Sequence, residues 1–230
     1  MILHIPHSSH ILPNDKIVEE HLSVFELTDW RTDDLFQSVG SERLVFPYTR
    51  LFCDVERLVN DPLESSGQGI MYRKGYDGEI INMKKYGFSD EERMQHYHDH
   101  HNKLEALVMN QLSYNGKCVL VDCHSYSDRQ ARATNTPDIC IGSNLTTSKK
   151  LIELVAYEFL SKRYTVGLNV PYGNSILPNN KNIDGLESIM IEVHKRTYVD
   201  VDLLEDTPQY DVVKNDISEV LDLIKDYEFS

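Results

Sequence analysis

Four short stretches of this chain are apolar almost without interruption: "MILHI" at the start, "KCVLVD" at 117–122, "DICIG" at 138–142 and "SIMIEVH" at 188–194. Runs of this length and composition fit strands covered on both faces of a sheet. Between them lie segments with apolar residues every three or four positions. Ser89 to Leu112 is the clearest, with Met94, Tyr97, His101, Leu104, Val108 and Leu112 on one face. Ser89 suits its N-cap, and Asp90, Glu91 and Glu92 complement the first-turn dipole. "SKKLIELVAYEFLSKR" at 148–163 and "DVVKNDISEVLDLIKDY" at 211–227 have the same helical period, and "TDWRTDDLFQSV" at 28–39 comes close to it. "RLVFPY" and "RLFCDV" are expected to form two short strands around Pro47. Strands alternating with helices predict an α/β fold of three layers, a mostly parallel or mixed central sheet between helices. Residues 61–88 break the alternation: Gly, Ser, Asp and Tyr dominate around "ESSGQGIMYRKGYDGE". A long irregular stretch in a compact domain is more often functional than idle, so 61–88 is expected to be an active-site loop.

At 230 residues the chain suits one domain spanning 1–230. The net charge of −14 disfavours nonspecific nucleic-acid binding, which depends on cationic contacts to phosphate. No apolar run approaches the roughly 20 residues a bilayer requires. The opening residues lack the basic-then-apolar layout of a secretory signal, and a cytoplasmic location is expected. Cys53, Cys118, Cys123 and Cys140 sit in or beside apolar runs without any C-x-x-C spacing, so buried free thiols are expected.

Candidate chemistry gathers where strands end, as it does in open α/β sheets. The first strand leads to His7, "VDCHS" carries Asp122 and His124, and "IMIEVH" carries Glu192. Polar groups closing buried strands cost roughly 2–7 kcal/mol each unless partnered, which asks for a common explanation. A catalytic metal centre supplies one, since zinc takes about three His, Asp or Glu ligands and leaves a position open. His7 and His124 are ligand types, Asp29 opens the segment after the first strand, and Glu192 can serve as base. Asp122 can orient His124. His96, His98 and His100 are expected on the solvated sides of their helix, and His101 on its apolar face. His10 stays open between the site and a turn. In "YTRLFCDVERLVNDP", Arg50, Asp54 and Arg57 form either a surface ion-pair cluster or a grip for a substrate carboxylate. "CHSYS" is not a nucleophile elbow, and no Gly-rich loop leads into a helix in the form phosphate binding needs.

The order of "IPHSS", "TDWRTDDLF", "YTRLFCDVERL", "VDCHS", "DICIG" and "IMIEVHKRTYVD" resembles the N-formylglutamate amidohydrolase family, whose fold is similar to that of zinc-dependent exopeptidases. The resemblance implies metal ligands at His7, Asp29 and His124, with Asp33 as the rival of Asp29, and a general base at Glu192. It implies substrate contacts from Arg50 and Arg57, joined by Tyr72, with Asp54, Asp122 and His101 supporting from behind. The cofactor it implies is Zn2+, though such ligands accept other divalent transition metals. The substrate it implies is a small N-acyl amino acid such as N-formyl-L-glutamate. Departures occur at "NVPYGNSILPNN", with one glycine where the family has a pair, at "HSSH", and at Asp99-His100 in place of Pro-Tyr. A zinc carboxypeptidase, a peptidoglycan-type amidase and a catalytically silent metabolite-binding domain are the competing readings.

Overall fold

The computed structural model describes residues 1–19 and 21–227. Its elements run β1 (Ile2–Ile5), α1 (His21–Leu27), α2 (Thr32–Leu35), β2 (Glu42–Val45), α3 (Asp90–Asn115), β3 (Cys118–Tyr126), α4 (Asp128–Ala131), β4 (Ile139–Ser143), α5 (Lys149–Ser161), β5 (Val166–Leu168), β6 (Leu186–His194) and α6 (Tyr210–Lys225), with a small hairpin of β7 (Val199–Asp200) and β8 (Glu205–Asp206) before α6. Six strands form one sheet in the order β2-β1-β3-β6-β4-β5. All neighbours are parallel except β4, which runs antiparallel to β6. The expected mixed α/β sheet flanked by helices is therefore the fold.

Strand alternation divides the sheet into two faces. Leu3, Ile5, Val121, Cys123, Ile141, Ile191 and Val193 point one way and pack on Leu35 and Phe36, on Leu151, Val155 and Phe159 of α5, and on Val213, Ile217 and Leu221 of α6. Ile2, Cys118, Leu120 and Leu186 point the other way, against Leu104 and Val108 of α3. Further along the same face come His4, Asp122, His124 and Glu192. The register sets His4 beside Asp122, and His124 beside Glu192. This face is thus greasy in its first half and polar in its second.

Helix α3 begins where Ser89 accepts a hydrogen bond from the Glu92 N–H and ends at Gly116, whose φ of 67° a residue without a Cβ adopts freely. Its buried arc is wider than the sequence implied, because His100 joins it. His100 is buried beneath Phe46 and His4, and only His98 of the three expected solvated histidines is exposed. His96 is half-buried, its ring edge-on to Tyr48 and Phe52.

Two expected strands are corrected. "RLVFPY" contributes only β2, an edge strand with largely exposed side chains, and "RLFCDV" is a turn outside the sheet. Leu51, Phe52, Cys53 and Val55 are apolar because they fill a second core with Met83, Phe88 and Tyr97. The helix expected over 28–39 shrinks to α2, so Asp29 precedes it and its carbonyl accepts from Thr32 Oγ1 at 2.8 Å. Asp122 and Glu192 lie within β3 and β6, not at their ends. All four cysteines are free and buried, as the sequence implied. No helix among the described residues is long and apolar enough to cross a membrane.

Candidate active site

The polar half of the sheet face forms the floor of a cavity of about 720 Å³. His7, Asp29, His124 and Glu192 reach it from the sheet side, and Arg50, Glu56 and Arg57 from the loop after β2. Tyr72 and its neighbours up to Gly78 close another side, so part of the 61–88 stretch stands as a wall of the cavity. Asp54, Asp122 and His101 stay behind the lining. Asp33 is exposed and stands apart, and His10 is half-buried against Trp30, outside the lining residues.

Helix α3 fixes the loop that carries Asp54, Glu56 and Arg57. Arg93, Tyr97 and His101 are four residues apart and share one face of the helix. The Arg93 Nε donates to the Phe52 carbonyl at 2.5 Å, the Tyr97 hydroxyl to the Arg57 carbonyl at 2.8 Å, and the His101 Nε2 to the Val55 carbonyl at 2.9 Å. Burial drives the pKa of His101 down to about 4, which keeps it neutral with Nδ1 free to accept from the Asn179 N–H. The loop is therefore held through its backbone, and its side chains are released toward the cavity.

Asp54 collects four partners, among them the Glu56 N–H, which donates to Oδ1 at 3.1 Å. It also accepts from His7 Nε2 at 2.8 Å, from Arg50 Nη2 at 3.0 Å and Nε at 3.2 Å, and it pairs with Arg57 Nε at 3.4 Å. Burial alone would raise its pKa; Arg50, His7 and Arg57 outweigh that and hold it well below the usual carboxylate range. Both Arg50 nitrogens spent on Asp54 are unavailable to a ligand, and Nη1 makes only a 3.4 Å contact with the Leu27 carbonyl. Arg57 is half-buried and its Nε has no hydrogen bond of good geometry. Tyr72 lines the cavity with Arg57.

With Nε2 given to Asp54, His7 turns a lone pair at Nδ1 toward Asp29 Oδ2, 3.7 Å away. That nitrogen is buried without a hydrogen-bond partner, as is Asp29 Oδ1. His124 Nδ1 lies 3.1 Å from the same Asp29 oxygen. Burial opposes charge on both Asp29 and His124. Yet the histidines hold the Asp29 carboxyl down, while Asp122 and Glu56 push His124 well above the usual imidazole value. Buried atoms left without partners cost about 1–3 kcal/mol each. A cation among His7 Nδ1, Asp29 and His124 Nδ1 would remove that cost. Their 3.1 and 3.7 Å separations bracket the about 3.3 Å edge of a tetrahedron with 2.0–2.1 Å bonds. The donor set fits a divalent metal.

Glu192, next to His124 on the neighbouring strand, is buried with Oε2 unpartnered. Burial pushes its pKa up to about 8, with Asp29 and Asp122 adding to the rise and His124 and Arg50 opposing it. A carboxyl that changes charge near neutrality, in a cavity, is suited to proton transfer.

Four residues of this centre escaped sequence reasoning. His4 bonds Asp122 Oδ1 through Nδ1 and His100 Nε2 through Nε2, both at 2.8 Å. Glu56 Oε2 lies 3.5 Å from His124 Nε2. Lys195 is buried beyond β6, its Nζ donating to the Glu26 carbonyl. A histidine inside an apolar strand and a Tyr97–His100–Leu104 helical spacing were the available signals for His4 and His100. Glu56 and Lys195 lie outside any periodic pattern.

The fold has solved counterparts. The crystal structure of an N-formylglutamate amidohydrolase from Ralstonia eutropha JMP134 superposes with a TM-score of 0.81 at 19% identity, covering 98% of this chain and 92% of that one. A gene product of Agrobacterium tumefaciens superposes at 0.67 with 17% identity, over 97% and 91% of the two chains. At such identities the likeness concerns the fold alone. No curated protein matches the chain. The family model for N-formylglutamate amidohydrolase matches residues 1–199, and the chain belongs to that family.

Proposed function

We propose that this chain hydrolyses the amide bond of an N-acyl amino acid, N-formyl-L-glutamate foremost, with a divalent metal ion, zinc by preference, held by His7, Asp29 and His124. The observation that carries the reading is the convergence of those three side chains beside the buried Glu192 on one cavity floor. Family membership supports the amide-hydrolase class. When bound, the ion supplies Lewis acidity that polarises an acyl carbonyl and acidifies water.

The protein's own groups account for the rest. Glu192 accepts the proton of the attacking water and hands it to the departing nitrogen as the C–N bond breaks and the new C–O bond forms. Asp54 fixes the ring of His7 so that Nδ1 faces the ion, and Asp122 stands 3.0 Å from His124 Nε2 on the far side of that ring without a hydrogen bond of good geometry. Arg57 grips a substrate carboxylate with Tyr72 beside it. Arg50 secures Asp54 and lends the cavity its positive charge. The 61–88 segment covers the bound substrate within one domain of 1–230. A cavity walled on this side favours a small acid over an extended peptide.

The test is a screen of N-formyl and N-acetyl amino acids with zinc present, repeated with His124→Ala. N-formyl-L-glutamate should be the best substrate and the variant inert. Full activity of either His124→Ala or chelator-treated protein would sink the metal assignment, and indifference to every N-acyl amino acid would sink the substrate.

A further inference from the structure

Behind the three residues assigned above lies a second group of donors. His4 Nδ1 and His124 Nε2 approach Asp122 Oδ1 from different strands, at 2.8 and 3.0 Å. Glu56 reaches over them from the α3-anchored loop, with Oε1 3.8 Å from His4 Nδ1 and Oε2 3.5 Å from His124 Nε2. His124 is 4% exposed, and its Nε2 has no hydrogen bond of acceptable geometry although two carboxylates face it. Glu56 Oε1 is likewise unpartnered. The four separations scatter around the about 3.3 Å edge expected of a tetrahedral centre with bonds of 2.0–2.2 Å.

The surroundings prepare these atoms to coordinate. The Ile176 N–H donates to Asp122 Oδ2 at 3.1 Å, which reserves Oδ1 for the cluster. His4 Nδ1 donates to Asp122 Oδ1 and Nε2 faces His100 Nε2 at 2.8 Å; with the proton moved to Nε2, His4 would donate backwards to His100 and bare Nδ1 for an ion. Two nitrogens and two carboxylates are a donor set for zinc and its first-row neighbours, not for calcium or magnesium, which take oxygen.

We propose that His4, Glu56, Asp122 and His124 Nε2 form a second divalent transition-metal site, joined to the first through the His124 ring. The proposal rests on the first site being as assigned above. Charge supports the pairing. With both ring protons displaced, His124 is an imidazolate; together with Asp29, Glu56 and Asp122 it supplies four negative charges for two dications. Asp54 is already answered by Arg50 and Arg57. Glu56 lines the cavity, so the second ion is in reach of solvent there, whereas His4 and Asp122 close it from beneath.

The experiment loads the full chain with Zn2+ alone, removes excess by dialysis, and counts metal per chain by mass spectrometry. Wild type should hold two, Glu56→Gln one and Asp29→Asn one. Wild-type protein loaded with Cu2+ should show magnetically coupled spins across the imidazolate, and Glu56→Gln an isolated copper signal; the wild-type measurements stand even if a variant folds poorly. One ion per chain and uncoupled copper in wild type overturn the second site. If that ion is lost from Asp29→Asn alone, the first site survives. If it is lost from Glu56→Gln alone, the ion sits at the Glu56 cluster, so the paired centre and the first assignment fall while that cluster stands as a single site, and no ion at all overturns both.

Discussion

The two faces of the central sheet use the same strands for opposite purposes. Val121, Cys123, Ile191 and Val193 face α5 and α6 in an apolar layer, while His124 and Glu192, interleaved with them, face the cavity, with Asp122 on the same side behind its lining. One face is held by area removed from water, about 25 cal/mol per Å². The other gathers buried carboxyls and imidazoles whose cost is met only in part by one another. The difference teaches that stability and chemistry are separated here by a single residue along the strand. A substitution on one face should therefore leave the other's property largely alone.

The largest expected effect is on the cavity face. Glu192→Gln should lower kcat for N-formyl-L-glutamate by about 10²–10⁴-fold, with circular dichroism and metal content unchanged. Equal turnover in variant and wild type would remove Glu192 from the reaction. On the apolar face, Ile191→Ala should cost about 2–5 kcal/mol in urea unfolding, or roughly 4–20 °C in Tm, and leave metal content intact. Loss of metal from that variant without loss of stability would break the comparison.

A third test joins the faces through pH. In the metal-free protein Glu192 holds its proton to about 8, against an ordinary 4.5. Its contribution to stability is full below the lower value and is lost as pH rises through the higher one. Wild type should thus lose about 2–4 kcal/mol relative to Glu192→Gln between pH 5 and pH 8.5. Parallel pH curves for the two proteins would contradict it. Smaller again is Arg57→Ala, expected to raise KM about 10- to 150-fold, the worth of a charged hydrogen bond, with kcat little changed. Arg50→Ala should instead weaken metal binding about 10- to 100-fold, because it loosens Asp54 and with it His7.

The sequence made the buried sheet legible because β3 and β6 are covered on both sides and so run apolar, their polar members standing out as interruptions. His124 and Glu192 could be singled out for that reason and His7 because it follows the apolar β1, and the structure brings all three to one cavity. Family resemblance chose Asp29 over nothing but position, and burial now separates it from exposed Asp33. The apolar run at 51–55 misled because a second core imposes the same composition as a strand without its pairing. His100 was hidden by counting too narrow a helical arc. Glu56 was hidden because its position depends on three contacts from α3 to backbone carbonyls, which no side-chain pattern encodes.

The strand order β2-β1-β3-β6 also sets a clock for biosynthesis. β1, which leads into His7, can pair early with β2, but its other neighbour is β3, and His124 gains Glu192 only when β6 is made. At about 5–20 residues per second, roughly 10 to 40 s separate His7 from Glu192 on the ribosome. Through that interval the chain carries a half-built sheet whose open edge is first β1 and, once β3 is made, β3 itself. The polar face that carries His124 and Glu192 is therefore among the last things this polypeptide completes, and a chain stalled before residue 186 lacks β6 and with it Glu192.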